Sequence, residues 1–279
     1  MMLIADRSAL LGAPIMDVPF VLLDIESTGL KPEEDRICEI ALMRWQHGQI
    51  VHTFEALVSS ARPIAPDAYA VNGISADMLA GAPEFELIMA PLLDAIGDGV
   101  LVAHNAPFDV CFLNAELVRA GQRPLNNVVV DTLSLARHFL RRDRYNLGAL
   151  AQHVGVARPQ HRAMSDVEAL LAVFAHLLRQ LEPLGVETLE DLLRAQGGLL
   201  PGDLEPAADP MVLEALRQGR QLRIAYRTKG GDPILRTILP LELHMADGLP
   251  RVIAYCFLRN SQRTFYLDRI AEMMLVDEG

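Results

Sequence analysis

Apolar positions along the chain switch between two periods. Residues 20–25 form a compact apolar run that ends at a turn-like Ser-Thr-Gly, which predicts a buried strand. Residues 36–45 and 49–58 read as two further strands joined by a short turn around Gly48. Helical spacing then appears over 83–96, closed by Gly97, and over 107–120, opened by Pro107 and closed by Gly121. Short strands are predicted at 100–104 and 128–131, and helices at 132–140 and 147–154. The longest periodic segment is 165–181, with Val167, Leu170, Leu171, Phe174, Leu177, Leu178 and Leu181 on one side. Three meandering strands followed by alternating helix and strand predict an α/β fold, a mixed sheet with helices on its faces.

The pattern changes after residue 183. A short helix is expected at 186–196, followed by a Gly-, Pro- and acid-rich linker at 197–209. A helix at 211–218 and four short strands at 222–227, 234–240, 251–257 and 263–270 predict a small β-rich unit. The expected division is therefore 17–183, a connecting 184–209, and 210–279.

Composition places the chain among globular proteins: 51% of residues are hydrophobic and 22% charged. No apolar run approaches the roughly 18 residues that a membrane span needs. Asp6 and Arg7 interrupt the first apolar stretch, so no secretory signal is expected. The three cysteines have no paired spacing, which fits a reducing, cytoplasmic setting. The net charge of −11 argues at first against a nucleic-acid partner. However, carboxylates that hold cations are neutralised in the working protein. Arg137, His138, Arg141, Arg142 and Arg144 also gather in one stretch, either as a solvated helix end or as phosphate contacts.

Three short segments carry candidate chemistry. Asp24 and Glu26 are two apart on the first strand and so leave the same face, with Leu23 and Ile25 on the other. Alone, the pair could be a strand end in solvent. Asp109 follows His104-Asn105-Ala106-Pro107-Phe108 and falls in the first turn of a helix, where the dipole favours negative charge. Asp166 opens the long helix, and His161 lies five residues earlier. Four carboxylates that converge would repel one another unless cations sat between them, and all-oxygen ligands suit Mg²⁺ or Mn²⁺. Two such ions form a clamp for in-line displacement at phosphorus.

Asp24-Ile25-Glu26-Ser27-Thr28-Gly29 resembles the first exonuclease motif of the DEDDh (DnaQ-like) family, which includes the proofreading subunit of bacterial DNA polymerase III. Asn105-Ala106-Pro107-Phe108-Asp109 resembles the second, and His161-x-Ala163-x-x-Asp166 the third. Val71-Asn72-Gly73-Ile74 and Val130-Asp131-Thr132 also resemble family segments. The resemblance implies an RNase H-like fold, two divalent cations (Mg²⁺ or Mn²⁺), and release of nucleoside 5′-monophosphates from 3′ ends of nucleic acid. It makes Asp24, Glu26, Asp109 and Asp166 metal ligands and His161 the general base. Thr28, Asn105 and Phe108 would contact the substrate. Ser27 departs from the more usual Thr, with little bearing on metal binding. Single-stranded DNA is the expected substrate. RNA trimming, or a regulatory protein that only binds nucleic acid, are the alternatives. Gln180-Leu181-Glu182-Pro183-Leu184 reads first as the end of the long helix and vaguely resembles sliding-clamp-binding peptides, so a sliding clamp is a partner to test; a DNA polymerase is the other.

The C-terminal part resembles the WYL domain, a small SH3- or Sm-like β-barrel, through residues 222–226, 254–256 and 263–270. Pro250-Arg251-Val252 stands where Trp-Tyr-Leu is usual. Residues 210–270 hold ten basic and five acidic residues, a net +5 within an acidic chain. That contrast suits a polyanion, with Tyr226, Arg236, Arg263 and Arg269 as the expected ligand site and Tyr226 as a stacking surface.

Overall fold

The computed structural model describes residues 7–157, 159, 161–202, 209–228, 232–246, 249–259 and 261–276. Helix α1 (Arg7–Leu11) and a 3-10 turn (Ile15–Asp17) lead into β1 (Phe20–Ser27), β2 (Ile37–Gln46) and β3 (Gln49–Leu57). Then come α2 (Pro66–Asn72), α3 (Ala76–Leu79), α4 (Phe85–Ile96), β4 (Val100–Ala103), α5 (Pro107–Arg119) and β5 (Val129–Asp131). Helices α6 (Thr132–Phe139), α7 (Leu147–His153), α8 (Ala163–Leu181) and α9 (Leu189–Gln196) follow. After α10 (Pro210–Gln218) the chain is built of β6 (Leu222–Tyr226), β7 (Ile234–Ala246), β8 (Leu249–Cys256), β9 (Ser261–Tyr266) and β10 (Ile270–Leu275).

The first sheet has the order β3-β2-β1-β4-β5. Strands β1, β2 and β3 form an antiparallel meander, and β4 and β5 add in parallel beside β1. Alternation along β1 feeds two cores. Phe20 and Leu22 pack with Val167, Leu170 and Phe174 of α8. Val21, Leu23 and Ile25 pack with α4 and α5 on the opposite face. Asp24 and Glu26 continue the first of these faces, so they emerge on the α8 side. The order and the helix layers agree with the expected mixed α/β sheet.

The second sheet is all antiparallel, in the order β10-β6-β7-β8-β9. Three differences from the sequence expectation stand out. The strand expected at 263–270 is two strands joined by a 3-10 turn at Leu267–Arg269. Strand β7 continues past Pro240 through a bulge between Pro240 and Glu242, where proline's missing N–H is tolerated. Helices α1, α2 and α3, of five, seven and four residues, were not anticipated. The linker expected at 197–209 lies partly outside the described residues.

The two sheets meet at α5 and α10. Cys111 of α5 is buried with Leu239 and Tyr255 of the second sheet, and the Gln262 N–H donates to Cys111 Sγ at 3.1 Å. Arg7 donates to the Asn126 carbonyl at 3.0 Å and to the Leu216 carbonyl near the end of α10 at 3.3 Å. A cavity of about 170 Å³ lined by Arg7, Val129, Leu216 and Leu239 separates them. The segment 180–184 is the end of α8 and a 3-10 turn, with Leu181 fully buried, so it is not a free peptide for a clamp. No helix among the described residues is long and apolar enough to cross a membrane.

Phe174 anchors α8 to the sheet edge-on against Phe20, with ring centroids 4.9 Å apart, and against Trp45 at 6.1 Å. Phe174→Ala should cost about 3–5 kcal/mol in urea unfolding, the usual range for truncating a buried aromatic ring. Val51→Ala, on the exposed face of β3, should change stability little in the same experiment.

Candidate active site

The two acids of β1 sit at its C-terminal end, where the strand register with β2 pairs Asp24 with Ala41 and Glu26 with Glu39. Asp109 enters from the first turn of α5 and is buried, with Oδ1 accepting the Ile25 N–H at 3.2 Å. Asp166 enters from the first turn of α8, also buried. Oxygens of Glu26 and Asp166 and a ring nitrogen of His161 lie within 4.8 Å of one another. The exposed His161 and the four carboxylates thus converge from three elements and one loop, as the sequence suggested.

Electrostatics describe the same convergence. Burial, followed by the charges of Asp109, Asp166, Glu26 and Glu39, pushes the Asp24 carboxyl well above the usual range. Burial, opposed by hydrogen bonds and reinforced by the Asp131 and Glu26 charges, raises Asp109. Glu26 rises to about 8, through burial first and Asp166 second, against a lowering hydrogen bond from Asn72. Among the described residues no Lys or Arg lies within ion-pair distance of Asp24, Glu26 or Asp109. Neutralisation by bound cations fits this donor set: hard oxygen ligands, desolvated and mutually repelling, with one imidazole at the edge.

The scaffold that aims these groups was mostly missed in the sequence. Glu116, buried on α5, accepts from Arg36 Nε at 2.7 Å and from the Ile37 N–H at 3.1 Å, which fixes α5 to the start of β2. Asp131 caps α6 and also accepts the N–H groups of Asn105 at 2.8 Å and Ala106 at 3.3 Å. It thereby holds Asn105 in a left-handed conformation, φ 68°, just before Asp109's helix. Gln196 of α9 in turn accepts the Asp131 N–H at 2.6 Å. Only long-range contacts reveal these roles. A buried acid in an apolar run is the one signal that could have marked Glu116.

Of the expected substrate contacts, Asn105 is exposed and Phe108 half-buried against Phe112 at the rim. Thr28 is a correction. It is fully buried, and its hydroxyl accepts the Arg36 N–H at 3.0 Å, so it shapes the turn after β1. A Cβ at Gly29 would lie 2.3 Å from the Asp35 carboxylate, so a larger residue there would have to displace that side chain.

In the second sheet Tyr226 is also a correction. It is buried in the core, edge-on to Phe265 at 5.0 Å, and its hydroxyl accepts the Tyr266 N–H, so no face is open for stacking. Arg236 is half-buried, with Nη1 3.7 Å from Cys256 Sγ, and Arg263 is exposed. Arg269 lies over the Tyr266 ring at 4.5 Å, and so does Arg251, which the sequence did not single out.

The raised carboxyl of Glu26 makes stability pH-dependent. Between its ordinary value of 4.5 and about 8, the folded chain keeps a proton that the unfolded chain has lost. Without metal, the melting temperature should therefore fall as pH rises through that window. Mn²⁺ should raise it more near pH 8 than near pH 5, because cations bind the ionised carboxylates. Thermal melts in EDTA and in Mn²⁺ at both pH values check this; no Mn²⁺ response at the higher pH contradicts it.

Comparison with known proteins agrees with this geometry. An exonuclease family model, RNase_T, matches residues 21–174, and a WYL domain model matches residues 210–275. Over 174 residues the chain is 34% identical to the PolC-type DNA polymerase III of Staphylococcus aureus. That match covers 62% of this chain but only 12% of the length of that relative. Among solved structures, Exonuclease X in complex with 5′ overhanging duplex DNA superposes with a TM-score of 0.50 at 26% identity. The match covers 64% of this chain and 99% of that one. E. coli Exonuclease I in complex with a dA16 oligonucleotide gives a TM-score of 0.56 over 86% of this chain and 55% of that one. At 18% identity this second likeness speaks for the fold alone. One continuous match covers more than half of the sequence and takes in Asp24, Glu26, Asp109, His161 and Asp166, so the chain belongs to the RNase_T exonuclease family.

Proposed function

We propose that this protein hydrolyses the terminal phosphodiester bond at the 3′ end of single-stranded DNA, releasing nucleoside 5′-monophosphates. The observation that carries the reading is the convergence of four carboxylates beside an exposed histidine. Asp24, Glu26, Asp109 and Asp166 are the residues that would hold divalent cations. When bound, two such ions supply charge neutralisation at the phosphate and acidify water. His161, with a ring nitrogen close to Glu26 and Asp166, takes the proton from the attacking water. Asn105 and Phe108 at the rim orient the terminal nucleotide. DNA is preferred in this reading because the relatives named above include a DNA polymerase and an exonuclease bound to DNA.

The second sheet is proposed to hold the strand outside the acid cluster. Its support is the net +5 over 210–270, the exposed Arg263, and Tyr266 with Arg251 and Arg269 over its ring. Residues 17–183 and 210–279 then form two functional units joined by 184–209. A polymerase partner is the association that the PolC-type relative supports. The three cysteines are buried and free, which fits a cytoplasmic location.

A denaturing gel of 5′-labelled DNA and RNA oligonucleotides, single- and double-stranded, tests the reaction. Shortening from the 3′ end is expected with Mg²⁺ or Mn²⁺ and none in EDTA. Asp24→Ala should abolish turnover, and His161→Ala should lower it by about 10²–10⁴-fold. Cleavage that persists in EDTA contradicts the assignment. Binding without cleavage under every metal condition supports a regulatory binding protein instead, and faster RNA shortening supports RNA trimming.

A different measurement checks the second sheet. Arg263→Ala and Tyr266→Ala should weaken oligonucleotide binding at low salt, and Arg263→Ala should flatten the salt dependence. Unchanged affinity in fluorescence anisotropy would remove this role.

A further inference from the structure

His161 is held by its backbone alone. Its φ of 54° is left-handed, a conformation that a non-glycine residue keeps only where its surroundings impose it. Its ring is exposed and has no hydrogen bond among the described residues. The constraint comes from the next two residues. Arg162 Nε donates to both oxygens of Glu39, at 3.0 and 3.1 Å, and its Nη2 donates to Oε1 at 2.6 Å. The Ala163 N–H, at the first position of α8, donates to Oε2 at 3.0 Å. Glu39 is wholly buried on β2, directly opposite Glu26 in the strand register. A carboxylate from the sheet therefore grips the residue after His161 and caps the helix that carries Asp166.

We propose that Glu39 and Arg162 are positioning residues that set His161 relative to Glu26 and Asp166. The proposal rests on the hydrolytic reading above. The fork geometry matters as well as the charge, because a guanidinium fixes two directions where an ammonium fixes none. The pair also keeps Glu39 out of the acid cluster. Without Arg162, Glu39 would lose its cationic partner beside Asp24 and Glu26, both of which already feel its charge.

The test uses the full chain and two readouts. Arg162→Lys keeps the charge and loses the fork. It should lower kcat by about 10- to 100-fold, the scale of a misplaced catalytic group, and leave KM and Mn²⁺ binding by calorimetry unchanged. In a His161→Ala background the same substitution should cost less than about twofold, since residues that act through one another are not additive. The second readout needs no turnover. In protein labelled with ¹³C-histidine, the His161 ring signal, identified by its absence in His161→Ala, should shift or broaden in Arg162→Lys. If Arg162→Lys does not fold by circular dichroism, the Glu39→Gln, Arg162→Gln double variant removes both buried charges and is measured in its place. Equal rate losses in both backgrounds, or an unmoved His161 signal, overturn the proposal. A wild-type chain that cleaves no oligonucleotide while the signal still moves rejects the hydrolytic reading and leaves the positioning of His161 by Glu39 and Arg162 standing.

Discussion

Mutual repulsion of carboxylates taken out of water is the constraint around which this chain is built. Asp24, Glu26, Asp109 and Asp166 come from a strand and two helices and are pressed to one place, where burial already disfavours the charge of the first three. Such an arrangement survives in the folded state only if each element is held independently of the acids themselves. The hydrogen bonds divide that task. Glu116 ties α5 to β2 through Arg36, Glu39 ties α8 to the same strand through Arg162, and Asp131 ties the Asn105 turn to α6. Three buried acids, each held by its own donors, steady the elements that carry the other four. Among the described residues, the arginines at ion-pair distance go to Glu116 and Glu39 and not to Asp24, Glu26 or Asp109.

The site was legible in the sequence to the extent that local spacing encodes it. A period of two puts Asp24 and Glu26 on one face, and a helix start places Asp109 and Asp166 in a first turn. Family resemblance joined those segments across more than a hundred residues. The supporting acids escaped notice because their partners are distant: Glu39 and Arg162 are 123 residues apart, and Arg36 and Glu116 are 80 apart. In a linear reading Glu39 is only a charged interruption of an apolar strand.

The second sheet was read less well, for two reasons. No glycine or proline marks the break at Leu267–Arg269, so two strands looked like one. Tyr226 and Tyr266 both sit at strand ends, and only burial distinguishes the core ring from the one beneath two guanidinium groups. Helix α5 connects the two halves: Asp109 faces the acid cluster, while Cys111, half a turn on, is sealed beneath Tyr255 and Gln262.

The left-handed backbone at His161 sets stability against chemistry at a single residue. A side chain in that region costs roughly 1–2 kcal/mol that glycine would not incur. Glycine at 161 would thus relax the loop and strengthen the fold while deleting the imidazole. Selection for stability alone would favour that exchange, as would a history in which the chain kept its shape and lost its reaction. The histidine that stands there is both strained and exposed, so the conformational cost falls on the residue that carries the imidazole.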